Sequence, residues 1–428
     1  MKKIILGTAL AFVALTMTSC LHDNEDLFDT PAAERLEQAV KADKELLESA
    51  ANGWQMRYYT GRDYTGGGYT MYMKFKNGKA SVSSDIAPAS MVTTSSYDVT
   101  KDQGPVLTFN TYNVILHYLA QPYKSDVDGE QGDYEFVITR TTQDSIYVTG
   151  KKWGNKFVMT RVPADQSWKE SINKMQSIIY AMPFSYMPAA STSEQDRVMI
   201  DPTLRRIYIG DDVVDGVPFY MTTEGIALQT PVTIAGKEVS ELKYNVSAKT
   251  LTSADGALTL NNTLPAGYRP MSEFVGTWNM KFDNYDSSTK KYFEDWQTFT
   301  LSPLTDLIQQ PSFSAMAAVF KCRNYDMAFR MAYSPVTGKL SIPAQFIADP
   351  SNSGPALLLA ACYIDDKGYV KPSVQDFNIV EDENGDMKVV CDDPQYNSIV
   401  LFTLNAKGQA NGLFYLWENV SDFVSAVQ

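Results

Sequence analysis

From Tyr69 to Phe75 apolar and polar side chains take turns, Asn77-Gly78 follows, and Ala80-Ser81-Val82 returns with the same period. A two-residue period puts successive side chains on opposite faces of a strand. Asn-Gly supplies the positive φ that a tight turn needs, so the segment predicts a β-hairpin. Similar short runs recur over 97–99, 106–109, 134–139, 145–149 and 156–160, and again over 206–209, 219–222, 226–229, 232–234 and 242–244. At least eight more candidates lie between Phe274 and the end, separated by turn signals such as Asp365-Asp366-Lys367-Gly368 and Asn384-Gly385. Regular short strands broken this way predict antiparallel meanders, closed into lipocalin-like barrels or packed as sandwiches.

Two stretches switch to helical spacing. Leu36, Val40, Leu47 and Ala51 share one face between Thr30-Pro31 and Asn52-Gly53, which predicts an N-terminal helix capped by Thr30 with Pro31 at its first position. Ser167-Trp168-Lys169-Glu170 has the form of a capping box ahead of Ile172, Met175 and Ile179, which predicts a mid-chain helix. The expected class is therefore β-rich α+β. Gly53-Trp54 opens one strand series and Gly276-Thr277-Trp278 another, the second resembling the Gly-x-Trp start of lipocalin-like barrels.

The first twenty residues differ from all the rest. Two lysines, an apolar run from Ile4 to Leu15 and then Thr16-Met17-Thr18-Ser19-Cys20 read as a secretory signal rather than a membrane span. The segment resembles the lipobox of bacterial lipoproteins, in which the cysteine after the cut is acylated, palmitate included, and becomes the new N-terminus. That residue is Cys20. The acidic stretch Asp23 to Asp26 resembles the surface-export signal of Bacteroidetes-type lipoproteins, with a solvated linker as the plain alternative. The expected location is the outer membrane, lipid-anchored, with the extracellular face favoured over the periplasmic one. No later apolar run reaches the 18 or so residues of a spanning helix. The expected organisation is a signal peptide (1–19), a lipidated tether (20–30), a helix-plus-meander domain (31–165), a helix-plus-sheet region (166–270) and a C-terminal barrel or sandwich (271–428).

Charge and composition narrow the chemistry. The chain of 428 residues carries a net charge of −13 and no cluster of five or more Lys and Arg, which excludes a nucleic-acid partner. Apart from Cys20 the cysteines are Cys322, Cys362 and Cys391, an odd set at strand positions that reads as buried small hydrophobes rather than a disulfide framework. His22 and His117 are the only histidines, and no HExxH, GxSxG or Walker loop is present. A glycosidase needs only two carboxylates across a cleft, which leave no local signature. Asp126 and Asp128, with Asp133 nearby, bring hard oxygen ligands into one loop and suit calcium, the alternative being an ordinary Asp-Gly turn. The densest aromatic cluster surrounds Gly66-Gly67-Gly68. Trp54, Arg57, Tyr59, Tyr64 and Tyr69 are its candidate ligand-binding residues, weighed against cross-strand packing.

One resemblance bears on function. The run from Gly104-Pro105-Val106 through Asn113 and His117, then Gly132-Asp133-Tyr134-Glu135-Phe136, with Gly53-Trp54, Gly66 to Tyr69 and Thr223-Glu224-Gly225-Ile226, resembles the DUF4302 lipoproteins of Bacteroidetes. It covers the signal and about residues 30–260. No function is assigned to that family. Its members are typically encoded near SusC/SusD-like outer-membrane uptake systems, and sometimes beside a zinc-metallopeptidase lipoprotein, which implies nutrient capture by association. The expectation is a non-enzymatic surface lipoprotein that captures a glycan or peptide, with no cofactor except calcium. Its rivals are a carboxylate-based hydrolase and a structural accessory subunit of a SusC/SusD-like transporter.

Overall fold

The computed structural model describes residues 30–122, 128–212, 214–264, 267–305, 308–347, 356–405 and 407–426. A helix α1 (Ala32–Ser49) leads into eight strands, β1 (Trp54–Tyr59), β2 (Gly68–Lys76), β3 (Lys79–Ser84), β4 (Thr93–Lys101), β5 (Pro105–Phe109), β6 (Glu135–Thr141), β7 (Ser145–Gly150) and β8 (Lys156–Arg161). Each strand pairs antiparallel with the next, and β1 pairs with β8 to close the barrel. The β2–β3 turn places Asn77 and Gly78 at φ +50° and +71°, the left-handed pair that the Asn-Gly signal predicts. Inward side chains such as Met56, Phe75, Phe109, Phe136 and Phe157 fill the barrel. Leu47 of α1 covers one end, and the Trp54 indole N–H donates to the Leu47 carbonyl at 2.9 Å. A short helix α2 (Val114–Tyr118) lies between β5 and β6. Pro31 sits at the N-cap of α1 with extended ψ, its carbonyl accepting from Arg35 N at 3.0 Å, so the helix starts one residue later than the Thr30-Pro31 pattern predicts.

A second barrel repeats the plan. Its leading helix α3 (Trp168–Ala181) is capped by Ser167, whose hydroxyl accepts from Glu170 N as expected. Ile172, Met175, Ile178 and Ile179 pack into the interior made by β9 (Ser185–Pro188), β10 (Val198–Asp201), β11 (Arg206–Ile209), β12 (Val217–Met221), β13 (Gly225–Ile234), β14 (Lys237–Asn245), β15 (Thr250–Ser253) and β16 (Thr259–Asn262). Strand β16 returns to β9 and closes the ring. The runs at 226–229 and 232–234 belong to one strand, β13, whose pairing with β14 shifts between Ala227 and Val232. That bulge breaks the alternation a sequence reader relies on.

After α4 (Met271–Phe274) the chain builds two open sheets. Strands β17 (Gly276–Asp286), β18 (Lys291–Thr305), β19 (Pro311–Cys322), β20 (Tyr325–Ser334) and β21 (Lys339–Ile342) run consecutively in the larger one. The chain then crosses at Pro343, which has no N–H to donate, into β22 (Gln345–Ile347), β23 (Leu357–Ile364) and β24 (Val370–Ser373) of the smaller sheet. Strands β25 (Phe377–Glu381) and β26 (Met387–Cys391) return to the larger sheet, β27 (Ser398–Leu404) and β28 (Ala410–Trp417) extend the smaller, and β29 (Phe423–Ser425) edges β17. A shared core including Phe299, Phe320, Leu359 and Trp417 lies between them.

The Gly-x-Trp motif at Gly276 therefore does not open a closed barrel. The second closed barrel spans residues 185–262 instead. What the motif encodes is local: Trp278 Nε1 donates to the Phe274 carbonyl at 2.8 Å, tying a first strand to the preceding helix as Trp54 does to Leu47. Such a tie says nothing about how the far edge of the sheet ends. Cys322, Cys362 and Cys391 are buried free thiols, the first two pushed up to about 11 and about 12 by burial.

Candidate functional site

The triple glycine is a joint between the two barrels. A Cβ on Gly68 would lie 2.5 Å from the Phe219 carbonyl oxygen, and one on Gly67 2.6 Å from that of Leu204, so only glycine admits this approach. Thr70 Oγ1 donates to the Met221 carbonyl at 2.7 Å. Arg206 Nη1 donates to the carbonyls of Tyr64, Thr65 and Gly66 at 2.8–3.0 Å, while Nη2 donates to those of Asp215 and Gly216. The Tyr59 ring meets Tyr220 of β12 edge-on at 6.3 Å, and the Arg57 guanidinium lies 5.4 Å from the same ring. Tyr64 packs edge-on against Tyr59, and its hydroxyl accepts from Lys156 N at 3.0 Å. Trp54, Tyr59 and Tyr69 are buried, and of the five candidates Arg57 alone is exposed. Of the cluster expected to face a ligand, Arg57, Tyr59 and Tyr69 meet Tyr220 and Arg205 of the second barrel, while Trp54 lies in the core of the first. Aromatic and glycine density is what a close joint between barrels needs, and in sequence the two uses look alike.

The proposed calcium loop divides. Asp126 lies outside the described residues, as does Cys20. Asp128 stands 3.9 Å from Lys152 Nζ. Asp133 is almost fully buried and accepts from Lys152 N at 2.8 Å and Trp153 N at 3.4 Å, and Gly150 leaves room for its carboxylate. Burial pushes this carboxyl up while the two backbone N–H groups pull it down. Its evident work is to hold the turn after β7, and among the described residues no group of three or more His, Cys, Asp or Glu gathers. Asp133→Ala should cost about 1–3 kcal/mol by orphaning those N–H groups. Thermal melts should give the same loss in calcium and in chelator, and a loss confined to calcium would assign the carboxylate to a metal. His117 stacks on Tyr134 at 4.8 Å and lies tilted against Tyr112 at 4.9 Å, with Nδ1 against the Asn113 main chain, and burial lowers its pKa.

A separate cleft lies in the C-terminal sheets. It measures about 680 Å³ and forms where the β17–β18 hairpin meets the ends of the smaller sheet's strands. Tyr292, the second residue of β18, is 55% exposed, and Tyr285 across the hairpin, 46% exposed, lies 5.1 Å from its ring. Tyr363 near the end of β23 packs edge-on against Tyr396 at 5.4 Å. Asn397 Nδ2 donates to Asn419 Oδ1 at 2.8 Å, and Asn419 Nδ2 donates to Asp283 Oδ2 at 3.0 Å. Asn419 holds φ +46°, a left-handed conformation that asparagine tolerates. Burial raises the half-buried Glu418 carboxyl, the Tyr292 hydroxyl lowers it by hydrogen bonding, and Asp283 raises it again.

This arrangement offers aromatic faces beside paired amides and carboxylates. Asp365, Asp366 and Glu418 line it, and no Lys or Arg is among the lining residues. Such a surface binds by stacking and by donor–acceptor pairing, and it repels anions. Its parts are scattered over more than 120 residues of the chain, from Tyr292 to Asn419, so no spacing motif announces them. The available signal was Tyr285 and Tyr292-Phe293 flanking a polar turn, aromatics where a hairpin tip would ordinarily be polar.

No curated protein matches the chain in sequence. Among solved structures, a protein of unknown function from the DUF3598 family of Nostoc punctiforme aligns over 89% of this chain and 98% of its own, at 9% identity and a TM-score of 0.15. A Bacteroides uniformis protein provisionally described as a 6-phosphogluconolactonase aligns over 87% and 100%, at 12% identity and a TM-score of 0.11. Scores this low carry no argument about fold or function. A family model described as a domain of unknown function matches residues 24–246, which takes in the first barrel, α3 and the second barrel through β14 but none of the cleft. By that match over more than half its length, the chain belongs to the DUF4302 family.

Proposed function

We propose that this protein is an outward-facing lipoprotein of the outer membrane, anchored through Cys20, that captures a neutral glycan without cleaving it for a nutrient uptake system. The observation that carries the reading is the C-terminal cleft, with its exposed tyrosine faces, its amides and its carboxylates, of which Asp365 is paired with Lys371 at 3.4 Å. A sugar ring presents C–H groups to stack on Tyr292 and Tyr363, and hydroxyls that both donate and accept, matched by Asn397, Gln395 and Glu418. Acidic peptides and anionic glycans are disfavoured by the lining carboxylates Asp365, Asp366 and Glu418, and a neutral glycan is favoured by the exposed tyrosine faces beside the amides. Docking on a SusC/SusD-like transporter is compatible with the same anchor.

Titration calorimetry with a panel of neutral oligosaccharides tests the reading. Tyr292→Ala should weaken binding about tenfold, near 1.4 kcal/mol, with melting unchanged because the side chain is exposed. Oligosaccharide length should be the same after long incubation. Failure of every neutral glycan to bind would overturn capture. Shortened products abolished by Glu418→Gln would favour the hydrolase instead, the reading to which a raised carboxyl beside Asp283 lends support.

A further inference from the structure

The second barrel contains three arginines that contrast with one another. Arg197, 9% exposed, donates to both carboxylate oxygens of Glu194, to Ser185 Oγ and to the Thr263 carbonyl. Arg206 donates to five backbone carbonyls. Arg205 is more buried than Arg197, at 5% exposed, yet among the described residues its guanidinium makes one hydrogen bond, from Nη1 to Asp85 Oδ2 at 3.0 Å. Its central carbon lies 5.9 Å from the centre of the Tyr69 ring. A guanidinium has five N–H donors, and Arg205 lines an open cavity from which an acceptor can reach those that Asp85 does not use.

Arg205 lines a cavity of about 200 Å³ where three parts of the chain meet. Tyr69, Asp85 and Leu119 come from the first barrel, Ile179 from α3, and Ser312 with Phe313 from the start of β19. Tyr69 and Asp85 are, like Arg205, more than nine-tenths buried, so polar groups are concentrated at one wall and apolar ones at the others. The volume suits a single substituted ring, since an apolar cavity of about 150 Å³ accepts benzene. Asp85 already balances the Arg205 charge, which disfavours an anionic ligand.

We propose that this junction cavity binds a small uncharged ring compound bearing a carbonyl, whose oxygen accepts from Arg205 while the ring lies against Leu119, Ile179 and Phe313. The site is separate from the C-terminal cleft and does not depend on glycan capture.

Benzamide and benzoate, alike in size and different in charge, are the probes, read by saturation-transfer NMR on the purified full chain. Benzamide should give a saturable signal and benzoate one at least tenfold weaker. Arg205→Lys, which keeps the charge beside Asp85 but loses the planar fork, should weaken benzamide about tenfold. Ser312→Trp, placed at a half-buried position on the lining, should remove the signal, and it decides the matter even if Arg205→Lys fails to fold. No saturable signal would mean the cavity holds water only. A signal unchanged in Ser312→Trp would place binding elsewhere, and benzoate binding as well as benzamide would overturn the ligand class.

Discussion

Asp85→Ala is expected to destabilise the joined barrels by about 3–5 kcal/mol, one of the two largest single-residue effects in this chain. The Asp85 side chain is wholly inaccessible and the Arg205 side chain 6% exposed. The carboxylate accepts from Arg205 Nη1, Thr70 N and Ser84 Oγ, while Gln176 of α3 donates to the Asp85 and Ala87 carbonyls. Burial pushes the Asp85 carboxyl up, and the guanidinium and the Thr70 N–H pull it back, so its charge is maintained by those partners. Truncation would leave the Arg205 charge in a desolvated site with its one carboxylate gone. The loss should appear as a lower urea midpoint, because both barrels use this contact. Replacing the pair together, Asp85→Leu with Arg205→Met, should recover most of it, since the cost lies in an orphaned charge rather than in a missing attraction. A single substitution as mild as the double one would show that water reaches the site and screens it.

What could be read from the sequence follows from how local each signal is. The Asn77-Gly78 turn, the Ser167 cap and the alternating strands near it are decided by neighbours within a few residues, and they stand where expected. Strands β9, β10, β15 and β16 are four residues each, short enough that alternation identifies them unreliably, and they were not foreseen, although β11, equally short, was. Closure of residues 185–262 into a ring is set by β16 meeting β9, a pairing across more than 70 residues that no local pattern records. The cleft obeys the same logic, because Tyr292, Tyr363, Asn397 and Glu418 are brought together only by the packing of two sheets. The aromatic loop at Gly66 to Tyr69 was visible but ambiguous. Its glycines and tyrosines serve the approach of Phe219 and Tyr220, residues about 150 positions away.

Trp54→Ala is the second large effect, and it separates the two uses of that aromatic cluster. A tryptophan on a ligand face would be lost with little change in stability. Trp54 instead has no accessible surface, sits at the start of β1 among the core side chains, and carries the Arg161 guanidinium 4.7 Å from its ring. Its indole N–H also holds the Leu47 carbonyl near the end of α1, so the substitution opens a ring-sized void and orphans a polar group together. Loss of a buried tryptophan costs about 3–5 kcal/mol. Trp54→Phe fills most of the void without the donor and should cost nearer 1 kcal/mol from the lost hydrogen bond, plus a part of the packing. Because α1 is tied to the barrel through this bond, protease cleavage within Ala32–Ser49 should quicken in both variants, more in the alanine one. Unchanged melting of Trp54→Ala, with ligand binding lost, would return the residue to a binding face.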